Sequence, residues 1–411
     1  MIQTDVIQET FAQNKRRMML LISLAEFLAM AVWFSASAVV PALTSAWTLN
    51  ESGRAWLTMS VQIGFVVGAF GSAWFSLADR IPSRRLFAVS ALLASLATVL
   101  IPLLATDIGL ALVLRFLTGF FLAGVYPVGM KMMATWTKAD RGLGIGLVVG
   151  ALTLGSAAPH LLNTFGAVGD WQVVLYLASA LALLGGVIAA AWVGEGPYRS
   201  ASPPFNLKYL GQILRNRELV LAQLSYLGHM WELYAMWAWI PAFLLASFQL
   251  VGIGAEWASL AAFAVIGVGG ISCVLAGKLA DRLGRTRIII VSLIVSGVCA
   301  LIVGRLFGGS PVLLTIVCLV WGFAVIADSP QFSACVSELA DPQYVGTALT
   351  LQTSLGFLLT LVTIRLIPPL VKIVGWEWAF AFLAIGPIAG IWAARRLQTS
   401  PEATRLAGGR G

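Results

Sequence analysis

Polar residues are scarce along this chain and come in short clusters, and the intervals between the clusters are apolar runs of about twenty residues or more. A hydrocarbon core about 30 Å thick is crossed by about twenty residues of helix. Twelve such runs are read at 18–46, 54–78, 84–105, 108–136, 141–166, 170–194, 219–247, 253–279, 286–307, 310–337, 343–371 and 376–396. Leu, Ala and Gly fill them without the strict alternation of a barrel strand, so each is predicted to be a helix. The first run follows a polar segment ending in Lys15, Arg16 and Arg17 and is too long for the core of a signal peptide, which makes it a retained span.

The clusters between runs are unequal in charge. Counting from a cytoplasmic N-terminus, inside segments hold 21 of the 26 basic residues and outside segments hold only Arg54, Arg305 and Lys372. This bias predicts both termini in the cytoplasm and a multi-pass protein of the cell's inner (plasma) membrane. Two basic residues, Arg115 and Arg365, fall inside spans.

The longest polar interval divides the spans six and six. It contains Pro197, Pro203 and Pro204 and a stretch from Asn206 to Arg217 that reads as a short amphipathic helix on the inner surface. The two sides repeat each other: Met30 to Pro41 overlays Met230 to Pro241 at an offset of 200, Asp79-Arg80 overlays Asp281-Arg282 at 202, and Asp170-Trp171 overlays Glu377-Trp378 at 207. The predicted fold class is an all-α membrane protein with twelve transmembrane helices in two pseudo-symmetric six-helix bundles, 18–195 and 219–396. Residues 1–17 form a cytoplasmic N-terminal segment, 196–218 a cytoplasmic linker and 397–411 a cytoplasmic tail. A duplicated unit suits halves that rock about a central site.

Composition agrees. With 59% hydrophobic and 11% charged residues, the chain has less than half the charge of an ordinary soluble domain. The net charge of +8 is absorbed by the inside bias, so it does not point to nucleic acid. Cys273, Cys299, Cys318 and Cys335 sit in apolar runs without metal or disulfide spacing and read as small hydrophobes.

The inside loop after span 8 reads Gly277-Lys-Leu-Ala-Asp281-Arg282-Leu-Gly284-Arg285-Thr-Arg287, and the one after span 2 repeats it in worn form, with Phe75 and Pro82 at the glycine places and Asp79, Arg80, Arg84 and Arg85 retained. The pair resembles the loop signature G-x-x-x-D-R-x-G-R-x-R of the major facilitator superfamily, and the likeness in topology and duplication covers essentially the whole chain. Arg115 to Gly119 is similar to the superfamily's span 4 motif R-x-x-x-G, whose Arg is often tied to proton coupling. The resemblance implies alternating access, with Asp79, Arg80, Arg84, Gly277, Asp281, Arg282, Gly284 and Arg285 in a conformational latch. A carboxylate there can pair with a neighbouring Arg and a helix N-terminus; the bland alternative is a set of positive-inside anchors. Gly146, Gly150 and Gly155 match part of the drug/proton antiporter pattern of span 5, but Ala151 and Leu154 depart from it. Gly142, Gly146 and Gly150 read more simply as a close packing face.

Charge inside a span is costly and marks a functional candidate. Glu26, Glu232 and Asp328 are the proton-coupling candidates, since carboxyl groups in low dielectric gain proton affinity. Helical angles place Glu26, Met30, Trp33, Ser37 and Pro41 in one stripe, and Tyr226, His229, Glu232 and Trp237 on one broad face. The substrate-binding candidates are Trp33, Arg115, Tyr126, Tyr226, His229, Tyr234, Trp237, Gln331 and Arg365. Each has a structural alternative: Glu232 and His229 as a self-satisfying pair, Glu26 as a neutraliser of an inner basic residue, Asp328 as a partner for backbone freed at Pro330, and Arg115 and Arg365 as helix glue. Arg115 and Lys131 lie about 160° apart on a straight span 4, which leaves Lys131 as a snorkelling anchor.

These residues predict a non-enzymatic secondary transporter, acting as a monomer, that moves a small organic solute, possibly anionic, by proton symport. Its partners are the solute, protons and the bilayer. No phosphate-binding loop, metal-spaced cluster or Ser-His dyad is legible, so no cofactor, metal or catalytic residue is expected. The alternatives are an anion porter in which Arg115 and Arg365 bind the substrate and no side chain is protonated, a drug/proton antiporter, a channel, and a non-transporting sensor or membrane enzyme.

Overall fold

The structure is a computed structural model that describes residues 2–138, 140–165, 170–198 and 205–411, with side chains over 12–138, 140–164, 170–198 and 205–411. Arg199, Pro203 and Pro204 of the linker lie outside the described residues. The described chain is helical throughout. Span 1 comprises Ile2–Met30, Ser35–Ala38 and Val40–Trp47; span 2 is Glu51–Trp74, span 3 Ser83–Leu104, and span 4 Ile108–Leu122 with Tyr126–Trp136. Span 5 is Arg141–Phe165, span 6 Trp171–Trp192, span 7 Arg217–Leu250, span 8 Ala255–Leu283 and span 9 Arg285–Ile302. Span 10 comprises Pro311–Ala327 and Ser329–Leu339, span 11 is Val345–Val374, and span 12 runs from Trp376 to Gln398. Eleven of these stretches are long and apolar enough to cross a membrane, and the divided span 1 makes the twelfth.

Helix starts on the side opposite the basic loops carry side-chain caps: Asn50 accepts from the Gly53 amide at 2.8 Å and Asp107 from the Gly109 amide at 2.7 Å. The two halves pack alike. Span 1 lies on span 6 as span 7 lies on span 12, span 2 on span 4 as span 8 on span 10, and span 3 on span 6 as span 9 on span 12. At one repeated crossing Gly119 backs onto the Val61 carbonyl, and Gly322 onto that of Val265; no side chain fits at either place.

The halves meet along spans 5 and 8 and along spans 2 and 11. In the first seam Gly146 faces the Cys273 carbonyl, Gly150 the Gly270 carbonyl, and Gly277 the Gly142 carbonyl, so the three span 5 glycines form the packing face read from their spacing. On the side away from the basic loops the seams are tied by Lys372 to Glu51 at 3.1 Å and by Asn163 to Ser259 at 3.0 Å. On the basic-loop side a crevice of about 750 Å³ opens between the halves, lined among others by Ala69, Met130, Lys131, Ser333 and Thr353.

Two expectations about straight helices are corrected. Span 1 unwinds at Ala31 to Phe34, so the stripe from Glu26 to Pro41 is not continuous. Span 4 breaks at Ala123 to Val125, and the 160° separation of Arg115 from Lys131 therefore has no meaning across it. Span 10 breaks at Asp328, just before Pro330, as the proline foretells.

Candidate substrate and coupling site

Unwinding four residues of span 1 frees backbone carbonyls in an apolar interior, where each needs a donor. Arg115 supplies it. The fully buried guanidinium donates to the Val32 carbonyl at 2.8 Å, to the Trp33 carbonyl, to Ser35 Oγ at 3.2 Å and to the Leu57 carbonyl at 3.3 Å. Its donors thus bind spans 1, 2 and 4 together. Arg365, the other basic candidate within a span, is exposed on span 11 and is not gathered with the other candidates.

The unwound segment turns Trp33 and Phe34 toward the opposite half. Trp33 meets Phe65 at 5.0 Å between ring centroids, Phe357 at 5.6 Å and Tyr234 at 6.1 Å. Phe34 and Tyr234 both pack on Trp237, at 5.9 and 5.5 Å. Six rings from spans 1, 2, 7 and 11 therefore form one buried aromatic compartment between the halves. Trp33, Tyr234 and Trp237 were legible as candidates; Phe34, Phe65 and Phe357 were not, because phenylalanine is ordinary in any span. The indole groups of the cluster are unsatisfied: Trp33 Nε1 and Trp237 Nε1 are buried without a hydrogen-bond partner among the described residues, as are the side-chain amides of Gln62 on span 2 and Gln352 on span 11. Such groups cost about 1–3 kcal/mol each and call for an account. The two glutamines are uncharged, so the scarcity of charge within spans does not mark them.

The three carboxyl candidates lie in different settings. Glu26 is fully buried against Gly129 of span 4 and Phe87 of span 3, and neither oxygen has a hydrogen-bond partner among the described residues. Tyr126 begins the second half of span 4, three residues before Gly129. Glu232 turns into the second bundle, accepting from Trp321 Nε1 at 2.7 Å and Ser296 Oγ at 2.9 Å. The expected alternative of a Glu232–His229 pair is therefore corrected: His229 Nδ1 lies 2.9 Å from Asp328 Oδ1 instead. Tyr226 and Phe332 flank the imidazole at 6.1 and 5.1 Å, and Tyr226 packs on Gly356 beside Phe357. Gln331 accepts from Arg285 at 3.0 Å and so belongs with the second loop.

The loops differ as their sequences do. In the second, Gly284 takes φ +99°, which a side chain would oppose, and Arg285 grips both oxygens of Glu338 at 2.6–3.0 Å while lying 3.6 Å from Asp281. Asp281 reaches across the seam to Gly142, in the first turn of span 5. Leu406 of the tail is buried, and Arg410 donates to the Asp281 carbonyl at 2.6 Å. In the first loop Pro82 replaces that glycine, and the chain instead turns at Ser76, φ +50°. There Lys131 donates to Asp79 and to the Ala78 carbonyl, so the residue read as an anchor is the partner of the loop carboxylate. Arg80, Arg84 and Arg282 are exposed.

Twelve spans in two like bundles, with a buried cluster of rings between them and a crevice on one side, define the architecture of a membrane transporter. Residues 22–364 match the family model of the Major Facilitator Superfamily, and the chain belongs to that family. It is similar to the putative niacin/nicotinamide transporter NiaP of Bacillus subtilis (strain 168), with 26% identity over 223 residues, 52% of this chain and 55% of that one. It is also similar to the 4-hydroxybenzoate transporter PcaK of Pseudomonas putida, with 26% identity over 200 residues, 47% of this chain and 43% of the relative. The matches thus span about half the length of these relatives. Among solved structures, the proton:xylose symporter XylE bound to 6-bromo-6-deoxy-D-glucose shares the fold, with a TM-score of 0.70 over 93% of this chain and 95% of that one at 17% identity.

Proposed function

We propose that this protein is a proton-coupled symporter of a small aromatic solute, working as a monomer in the inner (plasma) membrane with both termini cytoplasmic. The carrying observation is the buried cluster of six rings, two of them indoles without a hydrogen-bond partner, with two unpartnered buried amides on spans 2 and 11 of the same seam. Rings stack on a planar solute, and the free donors and acceptors take its polar substituents. The names of the two relatives, a niacin/nicotinamide and a 4-hydroxybenzoate transporter, support a ring-bearing solute. The crevice on the basic-loop side, with the opposite side tied by Glu51 and Lys372, fits the inward-facing member of an alternating pair.

Glu26 is the coupling group in this reading. Both of its oxygens are buried without a hydrogen-bond partner among the described residues, whereas Glu232 accepts two hydrogen bonds and Asp328 lies beside His229, so a proton at Glu26 settles its charge where no side chain does. The name of XylE, a proton symporter, agrees with such coupling. The rival reading, an anion porter built on Arg115 and Arg365, has weaker support, because the first serves the backbone of spans 1 and 2 and the second is exposed.

A thermal-shift panel on the purified full chain tests the solute class, since a ligand of the folded state raises Tm. Nicotinate, 4-hydroxybenzoate and benzoate are expected to raise it, and Trp33→Ala to abolish the rise. A rise with xylose or glucose and none with the ring acids contradicts the proposal.

A further inference from the structure

The unpartnered indole and amide groups suit neutral polar substituents, and none of them is charged or basic enough to match an acid group on the solute. Of the two arginines in spans, one is engaged by backbone and the other exposed. Glu232 is held within the second bundle. His160 and His229 are both buried with a free Nε2 among the described residues, but only His229 packs on rings that continue to the compartment, through Tyr226, Gly356 and Phe357. Phe332, on its other side, precedes Ser333, which lines the crevice.

We infer that His229, held in place by Asp328, is the docking point for a carboxyl group on the solute. This inference rests on the aromatic compartment being the solute site. His229 Nδ1 lies 2.9 Å from Asp328 Oδ1, and Nε2 on the other side of the ring is buried without a hydrogen-bond partner among the described residues, which leaves that nitrogen for a ligand. A carboxylic acid is the complement: its O–H donates a hydrogen bond to Nε2 with no bond broken, and a solute present in water as its anion brings one proton from solution to make that O–H. No fixed cation is needed, so the site can take an acid although Arg115 is engaged by backbone and Arg365 is exposed. A solute lacking an acidic proton, such as an ester, gains nothing from Nε2 and depends on the rings alone.

Calorimetric titration of the purified full chain with benzoate and with methyl benzoate separates these contributions. The wild type is expected to bind benzoate at least tenfold more tightly than the ester. His229→Gln is expected to lose at least tenfold in benzoate affinity with ester affinity within twofold, and Asp328→Asn, which leaves the imidazole in place, is expected to lose several-fold on benzoate alone. Equal affinities in the wild type, or variants that keep benzoate binding or lose both ligands together, overturn the inference and leave the compartment intact. Trp33→Ala separates the two ideas: loss of both ligands supports the compartment, and retention of both removes the compartment and this inference with it.

Discussion

The Arg115 guanidinium donates to the Val32 and Trp33 carbonyls, and so fills hydrogen-bonding positions that open where span 1 unwinds. Arg115→Gln takes the guanidinium donor from the Trp33 carbonyl, at about 1–3 kcal/mol, while the Val32 carbonyl keeps Ser35 Oγ. A lower unfolding temperature in detergent is expected, together with weaker ring-acid binding, because Trp33 is carried on the same segment. An unchanged Tm with weakened binding instead favours Arg115 as a direct ligand.

Gly150 lies where a Cβ would stand 2.7 Å from the Gly270 carbonyl of the other half. Gly150→Leu forces spans 5 and 8 apart, and loss of folded protein or of transport is expected, read by size-exclusion profile and by uptake in proteoliposomes. Wild-type behaviour in both contradicts the seam.

Lys131 and Asp79 are both partly exposed, so their pairing contributes about 0–1 kcal/mol to stability, and its removal is expected to spare Tm. Lys131→Asp alone is expected to slow transport by changing how readily the crevice opens. The double exchange Lys131→Asp with Asp79→Lys restores part of the rate. Absence of any restoration separates the two residues functionally.

Arg365 is exposed, and Arg365→Gln is expected to leave ring-acid affinity within about twofold, since surface substitutions change little. A tenfold loss of affinity places it at the solute after all.

The twelve spans, the duplication and the loop signatures are legible in the sequence because each depends on run length or on a short local motif. The break in span 1 is not. Ala31, Val32, Trp33 and Phe34 include neither proline nor glycine, and the unwound backbone depends on a guanidinium more than eighty residues away. The break in span 10 is foretold by Pro330, within the same few residues. On span 4 the break at Ala123 to Val125 resets the helical angles, and Lys131, on the basic-loop side as its sequence position suggests, pairs there with Asp79. On span 7 the sequence neighbours His229 and Glu232 part company because Trp321 and Ser296 draw the carboxyl one way and Asp328 lies beside the imidazole the other way. Gln62 and Gln352 carry no charge, and only their burial without partners brings them forward.

The coupling role of Glu26 is tested most directly by Glu26→Gln in proteoliposomes loaded with a pH-sensitive dye and supplied with radiolabelled benzoate and nicotinate. The amide removes the titratable group and keeps nearly the same shape. The account predicts that the variant still exchanges labelled for unlabelled solute across the membrane, but brings one proton fewer into the lumen with each solute and loses the accumulation that this proton drives when a pH gradient is imposed. Accumulation and proton entry at wild-type levels in the variant contradict it.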